Sequence, residues 1–326
     1  MKTEILRYLK EADGYLSGQE LCERLGVSRT AVWKVIRQLQ EDGYEIEAVR
    51  NRGYRLMESG DVYTEEELKS VISTRVTGRN LVFLELVDST NTRAKQLAEA
   101  GAPDGTLIVA DAQSAAKGRR GRSWLAPSGT GLWFSLLLRP QIEPDHAAMM
   151  TLVAAMAVEK GIRDTTGIEG KIKWPNDVVV DGKKVCGILT EMSADMDSVN
   201  HVVVGIGINV NVREFPEELQ DKATSLLLVS GQAVKRARLL NAVLLAWEEY
   251  YETYLRTEDL SLLAEEYNGK LAGLHGMVQV LAPKGAYTGI SHGINRQGEL
   301  LVEREDGTVT EVMSGEVSVR GIYGYV

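Results

Sequence analysis

The stretch KIKWPNDVVVDGKKVCGIL, residues Lys171–Leu189, predicts a β-hairpin in the centre of the chain. Asp181 and Gly182 separate two apolar runs, and an Asp-Gly pair in that setting is a strong signal for a two-residue hairpin turn. Lys183 and Lys184 begin the returning strand, so alternation sends their side chains to opposite faces of the sheet. We therefore expect one of these lysines to face solvent and the other to face a cleft.

Apolar runs on both sides of this hairpin predict a mixed sheet that carries helices. They are NLVFLELV, TLIVADAQ, SGTGLWFSLLLRP and NHVVVGIGINVN. Glycine weakens a strand interior unless a ligand or another backbone must come close, which makes Gly187, Gly205 and Gly207 candidates for such an approach. Asn209 ends the last run. Asp177 lies in the turn before the hairpin, where stabilising the turn is the alternative to a functional role.

A basic loop, QSAAKGRRGRSW (Gln113–Trp124), stands out because the whole chain carries a formal net charge of -9. Its cations and first glycine are Lys117, Gly118, Arg119, Arg120 and Arg122. Cations on glycine-rich backbone predict a loop that closes over an anion. The loop lacks the GxxxxGK[ST] pattern, and GIGINV is not GxGxxG, so a P-loop NTPase and a Rossmann dehydrogenase are both disfavoured.

The tetrapeptide DSTN, Asp88–Asn91, joins a predicted strand to a predicted helix. Free backbone N–H groups and hydroxyls meet a ligand at such a helix start. Ser89 or Thr90 capping the helix is the alternative, although three small polar residues exceed what a cap requires.

Composition excludes several classes of protein. The 326 residues suggest two or three domains. Two distant cysteines and four scattered histidines argue against a disulfide framework and a zinc hydrolase. No apolar run approaches the about 20 residues of a membrane span, and no signal peptide is evident, so we expect a cytoplasmic protein without membrane contact. With no acid/base pair, serine triad or metal cage evident, phosphoryl or nucleotidyl transfer is favoured, since it relies on charge stabilisation and positioning.

The N-terminal segment predicts a helix-turn-helix followed by a β-hairpin wing. Ser17 and Ser28 stand at helix caps, and Gly26 ends the helix between them. The exposed face of the second helix is basic, as a helix that enters a DNA groove requires. Modules of this kind often bind a two-fold DNA site as a dimer. The alternative is a small helical bundle with a solvated basic face. The candidate DNA-binding residues are Ser28, Arg29, Thr30, Trp33, Lys34, Arg37, Arg50 and Arg52.

The C-terminal segment Lys270–Gly321 consists of short alternating strands with glycine turns, which predicts a small β-barrel. The expected fold is α+β, with domains at residues 1–63, 64–269 and 270–326. A long amphipathic helix, LLNAVLLAWEEYYETYLRT, precedes the last domain.

The order of these features resembles the bifunctional biotin protein ligase/biotin operon repressor family. The motifs are the winged helix module, DSTN, KGRRGRSW, KWPND with KKVCGIL, GIGINVN and the small barrel. The resemblance implies a winged helix-turn-helix, a central domain like class II synthetases and biotin–lipoate ligases, and an SH3-like C-terminal barrel. It further implies activation of biotin by ATP and Mg²⁺ to biotinyl-5′-AMP, followed by transfer to a lysine of a biotin carboxyl carrier protein. A homodimer would repress biotin genes at operator DNA, with the adenylate as corepressor.

The resemblance also implies roles for individual residues. Residues implied to hold biotin and the adenylate are Ser89, Thr90, Asn91, Gln113, Gly187, Gly205 and Gly207. Loop residues implied to close over the carboxylate and phosphate, or to support that closure, are Lys117, Gly118, Arg119, Arg120, Arg122 and Trp124. Lys184 would meet the carboxyl-phosphate oxygens, Asp177 would assist a metal or the acceptor lysine, and Asn209 would lie near the nucleotide. Lys184, Arg119 and Asp177 are the implied catalytic residues.

One departure concerns the start of the loop, where Ala116-Lys117-Gly118 replaces the family's usual Gly-Arg-Gly. Charge is kept, but a glycine and a two-pronged guanidinium are lost. Two other functions stay open: a repressor that senses its ligand without catalysis, and a lipoate-type acyl ligase. The cationic loop and Lys184 favour catalysis over sensing.

Overall fold

The computed structural model describes residues 1–57, 60–195, 198–282, 285–314 and 318–321. The chain divides into two compact units, Met1–Ser73 with Lys235–Arg238, and Thr74–Val234 with Leu239–Val326. The domain boundaries expected from the sequence stay a prediction.

The first unit is a helix-turn-helix with a hairpin, as predicted. Its elements are α1 (Lys2–Glu11), α2 (Gly18–Leu25), α3 (Arg29–Glu41), β1 (Ile46–Val49), β2 (Gly53–Leu56) and α4 (Glu65–Val71). The hydroxyls of Ser17 and Ser28 accept from the backbone N–H groups of Glu20 and Ala31, which caps α2 and α3. Gly26 ends α2 in the left-handed conformation, at φ 64°. The predicted caps and stop are therefore confirmed.

The hairpin β1–β2 is fixed to the helices through Gly53. The backbone of Tyr54 exchanges hydrogen bonds with Leu16, which brings Gly53 against that segment. A Cβ at position 53 would lie 2.1 Å from the Leu16 carbonyl oxygen, and Gly53 has a φ of 111°. Glycine is therefore required where the hairpin meets the turn before α2.

The second unit contains a seven-stranded mixed sheet, which confirms the predicted fold class of the centre. Its strands are β3 (Leu81–Val87), β4 (Thr106–Gln113), β5 (Gly131–Leu138), β6 (Lys171–Lys173), β7 (Asp177–Val180), β8 (Lys183–Ala194) and β9 (Val199–Asn209). The order is β3-β4-β5-β9-β8-β7-β6, in which β3 and β4 run parallel and all other neighbours antiparallel. The helices are α5 (Thr90–Glu99), α6 (Met150–Thr166), α7 (Leu226–Ser230), α8 (Arg236–Thr257) and α9 (Ala264–Lys270).

The hairpin predicted between β7 and β8 is present. Asp181 and Gly182 both have positive φ angles, 49° and 74°, as a tight Asp-Gly turn requires. Lys183 points to the surface, where its Nζ donates to the Gln220 carbonyl, and Lys184 points into a cleft. The expected division between the two lysines is confirmed.

The C-terminal part of this unit is a small antiparallel sheet. Its strands are β10 (Met277–Ala282), β11 (Gly285–Ile294), β12 (Leu300–Glu303), β13 (Val309–Val312) and β14 (Ser318–Gly321), in the order β13-β12-β11-β10-β14. In the described ranges no pairing joins the two edge strands, so the closed barrel expected from the sequence is not confirmed. Among the residues that the structure describes, no helix is long and apolar enough to span a bilayer.

Candidate active site

Two adjoining cavities lie over β8 and β9 of the large sheet. The first is a narrow pocket against the start of α5, and the second is a larger cavity of about 530 Å³ between the basic loop and residues 215–223. The residues that line both cavities are Gly118, Arg119, Trp124, Asn176 and Lys184. Two cations therefore lie where the cavities meet.

The narrow pocket is lined by buried polar side chains from the DSTN turn. Ser89 stands at the cap position of α5 but makes no side-chain capping bond. The Asp88 carboxylate accepts from the Ser89 N–H at 2.7 Å. The Gln113 amide oxygen accepts from the Thr90 N–H at 2.8 Å. Ser89 and Thr90 are each only 3% exposed. Capping of α5 therefore does not explain the hydroxyl of Ser89.

Asn91 lies flat on the sheet above Gly205. Its Oδ1 accepts from the Ser135 hydroxyl at 2.7 Å, and its Nδ2 donates to the Leu189 carbonyl at 3.2 Å and to the Glu191 carboxylate at 2.8 Å. A Cβ at position 205 would stand 2.1 Å from Asn91 Oδ1. Glycine at position 205 is required so that Asn91 can occupy this place.

Trp124 covers the other two strand glycines. A Cβ on Gly207 would lie 3.0 Å from the Trp124 indole nitrogen, and one on Gly187 would lie 3.1 Å from the indole ring and 2.9 Å from Lys184 Nζ. The groups that closely approach Gly187, Gly205 and Gly207 are thus side chains of the protein itself. All three glycines also line the narrow pocket. The buried indole N–H of Trp124 has no hydrogen-bond partner among the described residues.

The basic loop forms a short hairpin. The Gly118 N–H donates to the Arg122 carbonyl at 2.7 Å, and the Trp124 N–H donates to the Ala116 carbonyl at 3.0 Å. Arg120 and Gly121 at its tip have positive φ angles of 58° and 72°. The turn therefore depends on an arginine in the left-handed region as well as on glycine.

Ala116 is buried at the base of this loop. Its side chain packs in a cluster with Ala126, Trp133 and Trp124. The methyl group that distinguishes this chain from the usual family pattern therefore contributes to packing beneath the loop.

Arg119 reaches from the loop to two other segments. Its guanidinium donates to Asn176 Oδ1 at 2.8 Å and to the backbone carbonyl of Ser314. Burial lowers the pKa of Arg119, an effect that nearby Asp177 opposes, and a guanidinium remains charged at neutral pH. A partly buried cation thus lies at the junction of the two cavities.

Lys184 supplies the second cation at the junction. Its Nζ lies 2.6 Å from Asp177 Oδ1 and 5.0 Å from the centre of the Trp124 ring. Asn176 Nδ2 donates to the same Asp177 oxygen at 3.0 Å. Asp177 is 8% exposed, so its buried carboxylate holds Lys184 in place.

The other candidate residues divide between the two cavities. Gln113 and Lys117 line the narrow pocket, whereas Arg120 and Arg122 line the larger cavity. Asn209 lines the larger cavity, and its side-chain amide donates to the Thr224 carbonyl at 3.1 Å. Every candidate predicted around the ligand therefore lines at least one of the two cavities. Asn91 and Asn209 also make hydrogen bonds that hold the cavity walls together.

Several residues of this site were not predicted from the sequence. Ser135 carried a signal, because it is the one polar residue in the apolar run GLWFSLLL. Phe215 lies in an irregular segment with no periodic pattern and lines the larger cavity. Glu191 lies on β8, and its carboxylate accepts from Asn91 Nδ2 and Lys95 Nζ.

The candidate DNA-binding residues lie on one module and are exposed to solvent. The Arg37 guanidinium lies 5.5 Å from the centre of the Trp33 ring, and the Trp33 side chain is 52% exposed. Arg52 in the wing stacks on Tyr15 at 4.3 Å. Arg29 donates to Gln19 Oε1 at 3.0 Å. The remaining exposed candidates are Ser28, Thr30, Lys34 and Arg50.

Sequence models of three known domain families match the chain. The biotin/lipoate A/B protein ligase family matches residues 83–209, which include most of the site. An HTH domain matches residues 2–55, and the biotin protein ligase C-terminal domain matches residues 277–320.

Whole-chain relatives define the family more narrowly. The bifunctional ligase/repressor BirA of Bacillus subtilis (strain 168) is 40% identical over 98% of both chains, and that of Escherichia coli (strain K12) is 30% identical over 93% of this chain and 92% of the relative. The structure of biotin protein ligase from Aquifex aeolicus in complex with biotin and ATP has a TM-score of 0.66 and 36% identity, covering 74% of this chain and 99% of that chain. The chain therefore belongs to the family of bifunctional biotin ligase/repressor proteins.

Proposed function

We propose that this protein activates biotin with ATP to biotinyl-5′-AMP and transfers the biotin to a lysine of a biotin carboxyl carrier protein, a subunit of acetyl-CoA carboxylase. The observation that carries the proposal is the junction between the cavities, where Arg119 and Lys184 border both. A carboxylate from the narrow pocket and an α-phosphate from the larger cavity would meet beside these two cations.

The geometry supports a reaction that needs no general base in its first step. The biotin carboxylate is ionised at neutral pH, and one of its oxygens attacks the α-phosphorus while the bond to pyrophosphate breaks. The main barrier is repulsion between two anions, and fixed cations in a desolvated site reduce it. We assign this role to Arg119 and Lys184. The other arginines of the larger cavity, Arg120 and Arg122, are placed to hold the polyphosphate.

The second step is attack of the acceptor lysine amine on the acyl carbon, with AMP as the leaving group. Trp124 and the loop hairpin cover the junction and would limit hydrolysis of the mixed anhydride.

Mg²⁺ is proposed as the companion of ATP. In the described parts of the chain no three acidic, histidine or cysteine side chains form a metal cluster. This fits Mg²⁺, which is commonly held by one or two carboxylates together with substrate phosphates. Asp177 lines the larger cavity and is the proposed ligand, and the ion would supply charge neutralisation on the phosphates.

The helix-turn-helix module is proposed to bind operator DNA of biotin genes as a homodimer, with the adenylate as corepressor. Exposed cations on α3 and in the wing support a DNA-facing surface. The C-terminal sheet is proposed to be an SH3-like barrel, in keeping with its match to the C-terminal domain of biotin protein ligases. A cytoplasmic location stays a prediction.

Incorporation of labelled biotin into a carrier domain tests the proposal directly. Purified protein, ATP and the carrier should give labelled carrier, and omission of ATP should abolish labelling. Adenylate binding without transfer would instead favour a sensor. Preferential transfer of lipoate would favour the lipoate-type ligase.

Phe215→Ala should raise the KM for ATP about ten- to hundredfold, because stacking of a base on an aromatic ring contributes about 1–3 kcal/mol. Phe215 is the aromatic residue that the segment 215–223 contributes to the larger cavity. Biotin affinity in the absence of ATP should stay unchanged and serves as the internal control. An unchanged KM for ATP would exclude Phe215 from the adenine site.

DNA binding should tighten about tenfold when biotin and ATP are added together, the usual size of a coupling free energy between two sites. The expected cause is that the adenylate favours the dimer that binds a two-fold operator. Footprinting across a protein titration measures this, with biotin alone and ATP alone as controls. A footprint indifferent to both ligands would contradict the corepressor role.

A further inference from the structure

Trp33 places a large apolar ring on the solvent-facing side of α3. Its side chain is 52% exposed, whereas the apolar residues on the opposite side of the helix, Val32, Val35, Ile36 and Leu39, are buried in the core of the module. Tryptophan is enriched at binding interfaces, because its ring offers a large contact area with few rotatable bonds. The exposed ring therefore indicates a binding surface on α3.

The charge around the ring indicates what kind of partner this surface binds. Arg29, Lys34 and Arg37 all lie within four residues of Trp33, and no acidic residue precedes Glu41 on α3. A second copy of the chain docked on the same surface by a two-fold axis would bring these cations together. A polyanion is favoured instead, and among polyanions DNA also offers apolar groups in its major groove.

Trp33 holds the guanidinium of Arg37 in place. The two residues are four positions apart, so their side chains are neighbours on the helix surface. The guanidinium carbon lies 5.5 Å from the centre of the indole ring. A cation–π contact of this kind uses none of the N–H donors of the guanidinium. Arg29 differs, because its guanidinium donates to Gln19 Oε1 at 3.0 Å.

The spacing of the exposed residues on α3 matches a short run of base pairs. Thr30 and Arg37 are seven residues apart and lie nearly on one line along the helix, with Trp33 about 40° around the axis from Arg37. All three side chains are exposed. The rise from Thr30 to Arg37 is about 10 Å, which corresponds to about three base pairs stacked 3.4 Å apart.

The ring and the guanidinium have different partners in the major groove. A planar guanidinium donates two parallel hydrogen bonds, which matches the O6 and N7 acceptors of guanine. An apolar ring matches the methyl group of thymine. Because Trp33 and Arg37 are in contact with each other, the two bases must also be neighbours.

We propose that Trp33 and Arg37 form one base-recognition unit, in which Trp33 contacts the methyl group of a thymine and holds Arg37 against the O6 and N7 of an adjacent guanine. The inference rests on the proposed DNA binding and deepens it by naming the bases that two side chains recognise. The unit is asymmetric. Loss of Trp33 weakens both contacts, whereas loss of Arg37 leaves the contact with thymine.

Selection from a pool of random DNA duplexes tests this inference in the full-length protein with biotin and ATP. The retained duplexes should share a thymine next to a guanine. Arg37→Ala should reduce the preference for that guanine about five- to 150-fold, the discrimination given by one bidentate contact. Arg37→Lys is the matched control, since it keeps the charge without the planar fork. It should lose most of the preference for guanine while the salt dependence of DNA binding stays the same.

Modified bases in a selected duplex separate the two contacts. Deoxyuridine in place of the thymine removes only the methyl group and should weaken binding by the unmodified protein about fourfold, the effect of one buried methyl group. Replacement of the guanine by 7-deazaguanine removes N7 and should weaken binding about tenfold or more. Trp33→Ala should not respond to deoxyuridine and should respond less to 7-deazaguanine. Arg37→Ala should respond to deoxyuridine alone.

Thermal unfolding of each variant checks the fold, and sedimentation measures whether the ring instead forms a contact between protein chains. Trp33 is exposed, so its replacement leaves the core of the module intact. A Trp33→Ala protein that no longer dimerises but still responds to deoxyuridine would assign the ring to a protein contact and overturn the inference.

The proposed DNA binding and the inference fail in different ways. If the unmodified protein retains no sequence in preference to others, the proposed DNA binding fails and the inference fails with it. If the protein selects a sequence, three results overturn the inference alone. They are a selected site without a thymine next to a guanine, an unchanged response of Trp33→Ala to deoxyuridine, and an unchanged preference of Arg37→Ala for guanine.

Discussion

Lys184→Ala should slow biotin-dependent pyrophosphate release about 10²–10³-fold, the loss typical of removing one fixed group that stabilises transition-state charge. Lys184 is one of two cations that border both cavities, and its ammonium group is held at 2.6 Å by the buried carboxylate of Asp177. Its removal deletes the cation that offsets the Asp177 carboxylate beside the reacting anions. The variant therefore adds repulsion where attraction is needed.

Lys183→Ala provides the matched control for this variant. It removes a lysine from the adjacent position of the same strand, but that side chain faces the surface and bonds to the Gln220 carbonyl. Its pyrophosphate release should match that of the original protein. A normal rate in Lys184→Ala would remove Lys184 from the reaction centre.

Arg119→Gly should release the adenylate at least about tenfold faster, because hydrogen bonds to a charged group contribute about 1.5–3 kcal/mol. The guanidinium bridges the basic loop to Asn176 and to the Ser314 carbonyl. Glycine removes this bridge together with the cation at the junction. Released adenylate should then acylate lysines on bystander proteins.

Labelling of a mixture of the carrier and an unrelated lysine-rich protein measures this loss of selectivity. Arg119→Lys keeps one positive charge but cannot bond to both partners in the same way, so an intermediate result is expected. Selective labelling of the carrier by Arg119→Gly, equal to that of the original protein, would contradict a retaining role for Arg119.

Local features of the fold were predictable because their causes lie in neighbouring residues. The serine caps of α2 and α3, the stop at Gly26 and the turn at Asp181-Gly182 each depend on a few adjacent side chains. The family resemblance, in turn, located the residues that line the two cavities.

Contacts between distant segments were not predictable from the residues alone. Asn91 donates hydrogen bonds to Leu189 and Glu191, which lie about a hundred positions away in the sequence. Strand register decides these contacts, since Gly205 pairs with Ser135 on one side and Leu189 on the other. The glycines were recognised as places of close approach, but what approaches them depends on tertiary packing.

The three strand glycines have a consequence for engineering this site toward other substrates. Gly187, Gly205 and Gly207 line the narrow pocket without a side chain, so these three positions offer nothing to trim to gain room. Any substitution at these positions fills space that Asn91, Trp124 or Lys184 already occupies. Changes that admit substrates of another size should therefore be made in the basic loop and in the DSTN turn before α5, which also line the narrow pocket. Libraries of variants at the three strand glycines should yield mostly inactive proteins.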